Sequence, residues 1–168
     1  MVDSLPVCVI DAGIIIDMDH GGMVLEIFQL PMTFVAPDVV IEELIMPDGA
    51  ELVRNGMISA EFSGKEVLEV ARLRSEYRKP STNDLFVLFL AKKMNALLLT
   101  GDANLKKAAL EEGVTTHGII WLFEKLVNHA IVPRATAASA LEKILDHPKS
   151  RLPLELCNKF IYKWRKAD

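Results

Sequence analysis

Short apolar runs alternate with amphipathic segments between residues 6 and 127 of the chain. A short continuous apolar run is typical of a strand that is buried on both faces of a parallel sheet. Helices between such strands predict an α/β fold, in which a doubly wound, mostly parallel central sheet carries helices on both faces. The predicted strands are residues 6–10, 32–35, 57–62, 96–100 and 114–117.

Helix starts are predicted from capping residues as well as from apolar spacing. Ser63 and Glu66 form a capping-box pair, and Ser81 with Asp84 in the first turn is a second capping arrangement. Asp38 is expected to be the N-cap of the helix that follows it. The predicted helices are residues 23–30, 39–45, 63–79, 81–95, 103–112, 119–127, 135–145 and 153–166, with a helical turn at 13–18.

Polar stretches and a change in the predicted secondary structure divide the chain further. Residues 17–22 are predicted to be a polar loop, and residues 47–49 (Pro-Asp-Gly) have turn chemistry. After residue 133 the strands stop and only helices are predicted. We therefore expect an α/β domain over residues 1–130, with residues 131–168 as a C-terminal helical extension packed on the same domain.

Composition limits the classes of protein that need to be considered. Hydrophobic residues make up 51% of the 168 residues, which is enough for one sizeable core. A net charge of −4 argues against a protein that coats nucleic acid by bulk charge, but it allows binding through a local basic patch and a metal. No apolar run reaches the about 18 residues of a membrane span, and the N-terminus lacks the basic segment of a signal peptide. Cys8 and Cys157 are expected to be buried thiols, which suits a cytoplasmic protein.

Carboxylates recur at the positions that an α/β sheet would bring together. Asp11 ends the first strand, Glu42 or Glu43 lies on the helix after the second, Asp84 opens a helix and Asp102 follows the fourth strand. Ligands of such sheets bind at the carboxyl ends of the strands. A fold that gathers carboxylates usually holds a cation there, and oxygen ligands favour Mg²⁺ or Mn²⁺. Such a site suits phosphodiester hydrolysis, because the ion can polarise the phosphate and activate water.

Each of these carboxylates also has a purely structural interpretation. Asp84 can complete a capping box, and Asp102 can be an N-cap or a turn residue. Glu42 and Glu43 flank the apolar side of their helix almost equally, so either can face solvent. Asp11 directly follows an apolar strand, where we expect no capping role, and it is therefore the strongest candidate.

Several stretches, in this order and spacing, resemble the PIN-domain family. They are VCVIDAG at residues 7–13, APDVVIEEL at 36–44, STNDLFVLFLAKKMNALLLTGDANLKKAA at 81–109 and the glycine-spaced segment 113–118. In that family an Asp ends the first strand, a Glu precedes a Leu on the next helix, an Asp opens a later helix, and an Asp follows a T-x-D-type turn. The resemblance implies that the catalytic residues and metal ligands are Asp11, Glu43, Asp84 and Asp102, and it selects Glu43 over Glu42.

The resemblance implies roles for two further residues. Thr100 matches a hydroxyl residue that often precedes the last acid, and it would position water or metal. Asn104 stands where some members carry another acid, and as a neutral ligand it would weaken a second metal position. The implied protein is a PIN-like nuclease domain that uses Mg²⁺ or Mn²⁺ to cleave RNA, as the toxin of a toxin–antitoxin pair or as a stand-alone relative.

The expected partners follow from the same resemblance. They are an RNA substrate, an antitoxin protein and a second copy of the chain, with no membrane. The helices after residue 133 are not needed by the catalytic pattern, so we expect partner contacts there. The alternative is a catalytically degenerate PIN-like module that binds RNA or protein without cutting, which Asn104 favours. A receiver-like signalling domain fits less well, because the first strand offers only Asp11.

Overall fold

Residues 5–166 are the part of the chain that the computed structural model describes, so the outermost residues of the predicted domain bounds, 1–4 and 167–168, lie outside it. Five strands in this range form one sheet in the order β3-β2-β1-β4-β5, and all four pairings are parallel. The predicted doubly wound α/β fold is therefore confirmed. The strands are β1 (Val7–Ile10), β2 (Thr33–Pro37), β3 (Ile58–Ala60), β4 (Leu97–Leu99) and β5 (Thr116–His117).

Helices cover both faces of this sheet. The described helices are α1 (Ala12–His20), α2 (Asp38–Glu43), α3 (Gly49–Arg54), α4 (Gly64–Glu76), α5 (Thr82–Lys93), α6 (Ala103–Glu111), α7 (Ile119–Asn128), α8 (Arg134–Asp146) and α9 (Leu154–Lys166), with a 3-10 helix at Glu26–Gln29. None of these helices is long and apolar enough to cross a membrane.

The central strand β1 is buried on both faces, which explains its uninterrupted apolar sequence. Cys8 and Ile10 pack into one hydrophobic core, whereas Val9 between them packs into the other. Cys8 pairs with Phe34 of β2 on one side and with Leu97 of β4 on the other. Because side chains alternate across a strand, a strand between two helical layers has no solvent-facing side.

The order of the strands reverses at β1, and this places a crevice at the carboxyl ends of β1 and β4. In doubly wound sheets such a reversal is where ligands bind. The backbone N–H of Asp11 extends the pairing by donating to the carbonyl of Leu99 at 3.0 Å. Residues that directly follow β1 and β4 are therefore held next to each other.

Both predicted capping boxes are present. Ser63 Oγ accepts from the Glu66 N–H at 3.3 Å, and the Glu66 carboxylate accepts from the Ser63 N–H at 2.9 Å. Ser81 and Asp84 make the same reciprocal pair at the start of α5. The helix after Ser63 ends at Glu76, three residues before its predicted end.

Two predictions near the N-terminus are wrong. Residues 17–22 were expected to form a polar loop, but α1 continues to His20 with Met18 fully buried on its inner side. Its polar residues Asp17, Asp19 and His20 are half-buried, and His20 stacks on His147, so local polarity was a poor guide to its conformation. Residues 23–30 were expected to form an amphipathic helix, but only Glu26–Gln29 are helical, as one 3-10 turn.

The helix α3 was not predicted, since its first residue belongs to a Pro-Asp-Gly stretch that reads as a turn. Asp48 caps it by accepting from the Ala50 N–H at 3.0 Å, and fully buried Leu52 anchors it. The predicted N-cap role of Asp38 is also wrong, because α2 begins at Asp38 and Pro37 occupies the cap without a side-chain bond.

The C-terminal helices share a core with the sheet. Leu141 and Ile144 of α8 and Cys157 of α9 are fully buried in the same cluster as Ile15 of α1. Gly21 permits this close approach, because a Cβ there would lie 3.0 Å from Ile144 Cδ1. The turn after α1 is thus locked against α8. Cys8 and Cys157 are both buried free thiols, as expected.

Gly49→Ala is expected to lower the free energy of unfolding by about 2–3 kcal/mol, because overpacking forces the backbone to move. A Cβ at Gly49 would overlap the carbonyl oxygen of Ile41 and lie 2.9 Å from Ile41 Cγ2. Urea unfolding measures the change. Gly64→Ala is the matched control, since it also begins a helix but has no neighbour within 4 Å. Equal stability of the two variants would contradict the packing described.

Candidate active site

Asp11 is the buried acid of the site, with 5% of its surface exposed. Its Oδ1 accepts from the Ile14 N–H at 2.9 Å, and its Oδ2 accepts from the hydroxyl of Thr100. Asp11 therefore does cap α1, and the expectation that it has no capping role is wrong. Burial raises the pKa of Asp11 to about 6, against the opposing effect of these two hydrogen bonds, and the neighbouring charges of Asp84 and Asp102 raise it slightly further.

Thr100 links two of the predicted acids. Its side chain is fully buried, and its hydroxyl donates to Asp11 while accepting from the backbone N–H of Asp102 at 3.1 Å. Because a hydroxyl group carries one proton, Thr100 donates that proton to the Asp11 carboxylate, and its oxygen accepts from the Asp102 N–H. Thr100 thus fixes the direction of the Asp11 side chain and the start of the Asp102 turn.

Asp84 and Asp102 sit at the N-termini of two helices. Asp84 Oδ2 accepts from the Ser81 N–H at 2.8 Å, and Asp102 Oδ1 accepts from the Leu105 N–H at 2.8 Å. Each carboxylate uses one oxygen for its backbone bond, and within residues 5–166 the other oxygen makes no hydrogen bond. The structural interpretation of both acids is therefore correct, but it leaves each with an oxygen free to bind a ligand.

Glu43 lies at the C-terminus of α2 and is exposed. Its Oε2 accepts from the side-chain amide of Asn83 at 2.6 Å, which ties α2 to the start of α5. Glu43 lines the same cleft as Asp11, whereas Glu42 does not appear in that lining.

Two neighbouring clefts meet at Asp11 and Asp84, which line both of them. The first has a volume of about 450 Å³ and contains Glu43 and Asn83. The second has a volume of about 580 Å³ and contains Asp102. The structure thus brings the four predicted acids to one end of the sheet, with Asp11 and Asp84 at the junction.

The family model DUF3368, described as a PIN domain, matches residues 7–166. The chain belongs to the PIN-domain family. This PIN domain shares its fold with a PilT N-terminus domain protein from the hyperthermophilic archaeon Sulfolobus solfataricus, at 21% identity and a TM-score of 0.50 over 69% of this chain and 89% of that chain. No curated protein matches the chain. PIN domains are generally nucleases that use divalent metals.

The acidic end of this PIN domain suits a hydrated divalent ion. Within residues 5–166 no three His, Cys, Asp or Glu side chains come together closely enough to enclose an ion by themselves. Mg²⁺ keeps several waters and is commonly held by one or two carboxylates together with substrate phosphates. Oxygen ligands and the free carboxylate oxygens of Asp84 and Asp102 fit that mode of binding, so Asp11, Asp84 and Asp102 could hold Mg²⁺ or Mn²⁺ in part through water.

Asn104 is the second residue of α6, and the linings of the two acidic clefts do not include it. It lines a separate groove with Arg78, Lys79 and Lys107. The interpretation of Asn104 as a neutral metal ligand stays a prediction.

Sequence reasoning missed the part that the C-terminal extension plays in the second cleft. Lys149 and Arg151, between α8 and α9, line it together with Asp17 and His20 of α1. No spacing in the sequence connects residues so far apart. Only the packing of α8 against α1 brings them together, so the extension forms part of the wall of a cleft that contains three of the predicted acids.

Thr100→Val is expected to shift the acid limb of a pH–activity profile upward by about one unit, because a lost hydrogen bond to a carboxylate raises its pKa. Valine keeps the shape of the buried side chain but donates nothing to Asp11 and accepts nothing from the Asp102 N–H. The rate of nuclease activity, measured at several pH values between 5 and 8, gives the shift. Thr100→Ser, which keeps the hydroxyl, should retain the wild-type profile, and an equal shift in both variants would contradict this role.

Proposed function

We propose that this PIN domain is a divalent-metal-dependent endoribonuclease, with Asp11, Glu43, Asp84 and Asp102 as its catalytic carboxylates. The observation that carries the proposal is the position of Asp11. A buried carboxylate with a raised pKa at the junction of two acidic clefts is costly to ionise unless a cation accompanies it. Stability alone does not call for a carboxylate here, since asparagine caps a helix as well as aspartate does.

The chain's own residues prepare this site for the reaction. Thr100 and the Ile14 N–H hold the Asp11 carboxylate in one orientation, so it is preorganised before substrate arrives. Asp84 and Asp102 each direct a free oxygen from a helix start that is anchored by a backbone bond. When bound, Mg²⁺ or Mn²⁺ would supply Lewis-acid stabilisation of the phosphate and a lower pKa for water.

Basic residues beside the acids favour a polyanionic substrate. Arg78, Lys79 and Lys107 line the groove next to the start of α5, which carries Asp84. Cations of this kind position the backbone of a nucleic acid without reading its sequence. They support binding of a nucleic-acid backbone in a chain whose net charge is negative, although Glu76 and Glu111 line the same groove.

The predicted protein partners, an antitoxin and a second copy of the chain, stay predictions. The loop after Glu43 supports a contact of this kind, since Ile45 and Met46 are 84% and 75% exposed beside the first acidic cleft. A toxin role would follow if an inhibitory partner covered this loop.

The proposal is tested by incubating the purified protein with RNA and single-stranded DNA panels in Mn²⁺, in Mg²⁺ and in EDTA. We expect internal cleavage of RNA in the presence of either ion and none in EDTA. Cleavage that persists in EDTA would overturn the metal-dependent mechanism. RNA binding without cleavage under all three conditions would instead favour the degenerate binding module.

A further inference from the structure

The loop between α8 and α9, residues 147–153, forms one wall of the second acidic cleft. Lys149 and Arg151 line this cleft together with Asp84 and Asp102. Both cations are exposed, and within residues 5–166 neither takes part in an ion pair. Two unpaired cations thus stand in the same cleft as the carboxylates.

This loop is anchored to α1, so its cations are held beside the cleft. The ring of His147 stacks on His20 of α1, with 3.7 Å between the ring centroids and 16° between the planes. The Lys149 N–H donates to His147 Nδ1 at 3.2 Å, and the Ser150 N–H donates to the His147 carbonyl at 2.9 Å. The partly buried side chain of Leu152 packs against the main core.

This cleft contains both carboxylates and cations, and this combination suits a nucleic-acid strand, which carries a phosphate at every nucleotide. Carboxylates repel the phosphates of a nucleic acid, so the acidic residues alone cannot hold a substrate backbone. Lysine and arginine bind phosphate oxygens and so fix the position of a backbone. The carboxylates of an acidic protein segment could meet the same cations. We favour a phosphate strand because protein-bound Mg²⁺ is commonly held by one or two carboxylates together with substrate phosphates.

We propose that Lys149 and Arg151 bind backbone phosphates of the RNA strand next to the cleavage site, so that the C-terminal helical extension forms part of the substrate-binding cleft. This inference rests on the proposed ribonuclease function and assigns the extension a role in it. Lys149 and Arg151 are positioning residues: they hold the strand, while the carboxylates act on the phosphate that is cleaved.

The test compares Lys149→Gln/Arg151→Gln with Lys143→Gln/Lys159→Gln, which removes two exposed cations from the same extension outside the cleft. Binding of a labelled single-stranded oligoribonucleotide is followed by fluorescence anisotropy at several salt concentrations, in Asp11→Asn protein. We expect the first pair to weaken binding about tenfold and to reduce the salt slope by about 1.4, because each lost phosphate contact on a single strand is worth about 0.7. The control pair should change neither quantity.

Cleavage kinetics separate this inference from the proposed function. In the otherwise wild-type protein, Lys149→Gln/Arg151→Gln should raise KM and leave kcat within about twofold, as expected for lost uniform binding. Cleavage with an unchanged KM and salt slope would overturn the inference and leave the function standing. Weakened RNA binding in a protein that never cleaves would support the inference and overturn the function. Equal losses of RNA affinity in the two double variants would overturn the inference. So would a failure of the Asp11→Asn protein itself to bind RNA.

Discussion

Asp11→Asn is expected to lower metal-dependent RNA cleavage by at least about a hundredfold, the scale of losing one preorganised charged group in a site. Asparagine can still accept from the Ile14 N–H, so α1 keeps its cap. What is lost is the negative charge at the junction of the two clefts, together with the oxygen that accepts from the Thr100 hydroxyl. Asp102→Asn should act in the same way, because its amide can also keep the bond from Leu105.

Asp48→Asn is the matched control for this loss. Asp48 caps α3 through the same kind of bond, and it lines neither acidic cleft. We therefore expect this variant to cleave RNA at the wild-type rate in Mn²⁺. Undiminished Mn²⁺-dependent activity in both Asp11→Asn and Asp102→Asn would rule out the assignment of these residues as catalytic.

The same substitution, Asp11→Asn, is expected to stabilise the metal-free protein at alkaline pH by at most about 3 kcal/mol. Burial raises the pKa of Asp11 from 3.8 to about 6, so the folded state binds a proton more tightly than the unfolded state does. The associated stability is fully present below pH 4 and is lost as the pH rises through about 6. Asparagine carries no charge at any pH, so the variant escapes this loss.

Urea unfolding in EDTA at pH 4 and pH 8, for wild type and variant, measures this effect. The comparison of the two proteins cancels the opposite contribution of Glu66 and Glu112, whose hydrogen bonds to Lys93 and Lys92 lower their pKa. The advantage of Asp11→Asn should be larger at pH 8 than at pH 4. A difference between variant and wild type that is the same at pH 4 and at pH 8, or smaller at pH 8, would contradict the raised pKa of Asp11 in the folded protein.

Much of the fold could be predicted from the sequence, because the signals involved are local. The apolar run of β1 and the capping pair of Ser63 and Glu66 depend only on neighbouring residues. The wrong predictions concern segments whose conformation is set by distant contacts. His20 belongs to a helix rather than to a loop, and its ring stacks on His147, which is far away in the sequence. Gly49, which begins α3, packs against Ile41 of α2.

The common location of the four acids was predictable, but their surroundings were less so. Helical spacing left the choice between Glu42 and Glu43 open, and the family resemblance selected Glu43. Of these two residues, Glu43 lines a cleft with Asp11. The capping role of Asp11 was missed because the helical segment was predicted to begin at residue 13, one residue after the start of α1. Arg151 could not be connected with Asp11 by any sequence pattern, since the packing of α8 on α1 is a tertiary feature.

Binding of Mn²⁺, followed by the electron paramagnetic resonance signal of the free ion, would show directly whether Asp11 belongs to a metal site. Wild type, Asp11→Asn and Asp48→Asn are titrated with and without single-stranded RNA. We predict that wild type and Asp48→Asn bind the ion alike and that Asp11→Asn binds it at least about tenfold more weakly, the scale of altering a ligand environment. Equal binding by wild type and Asp11→Asn, with RNA and without it, would contradict the account.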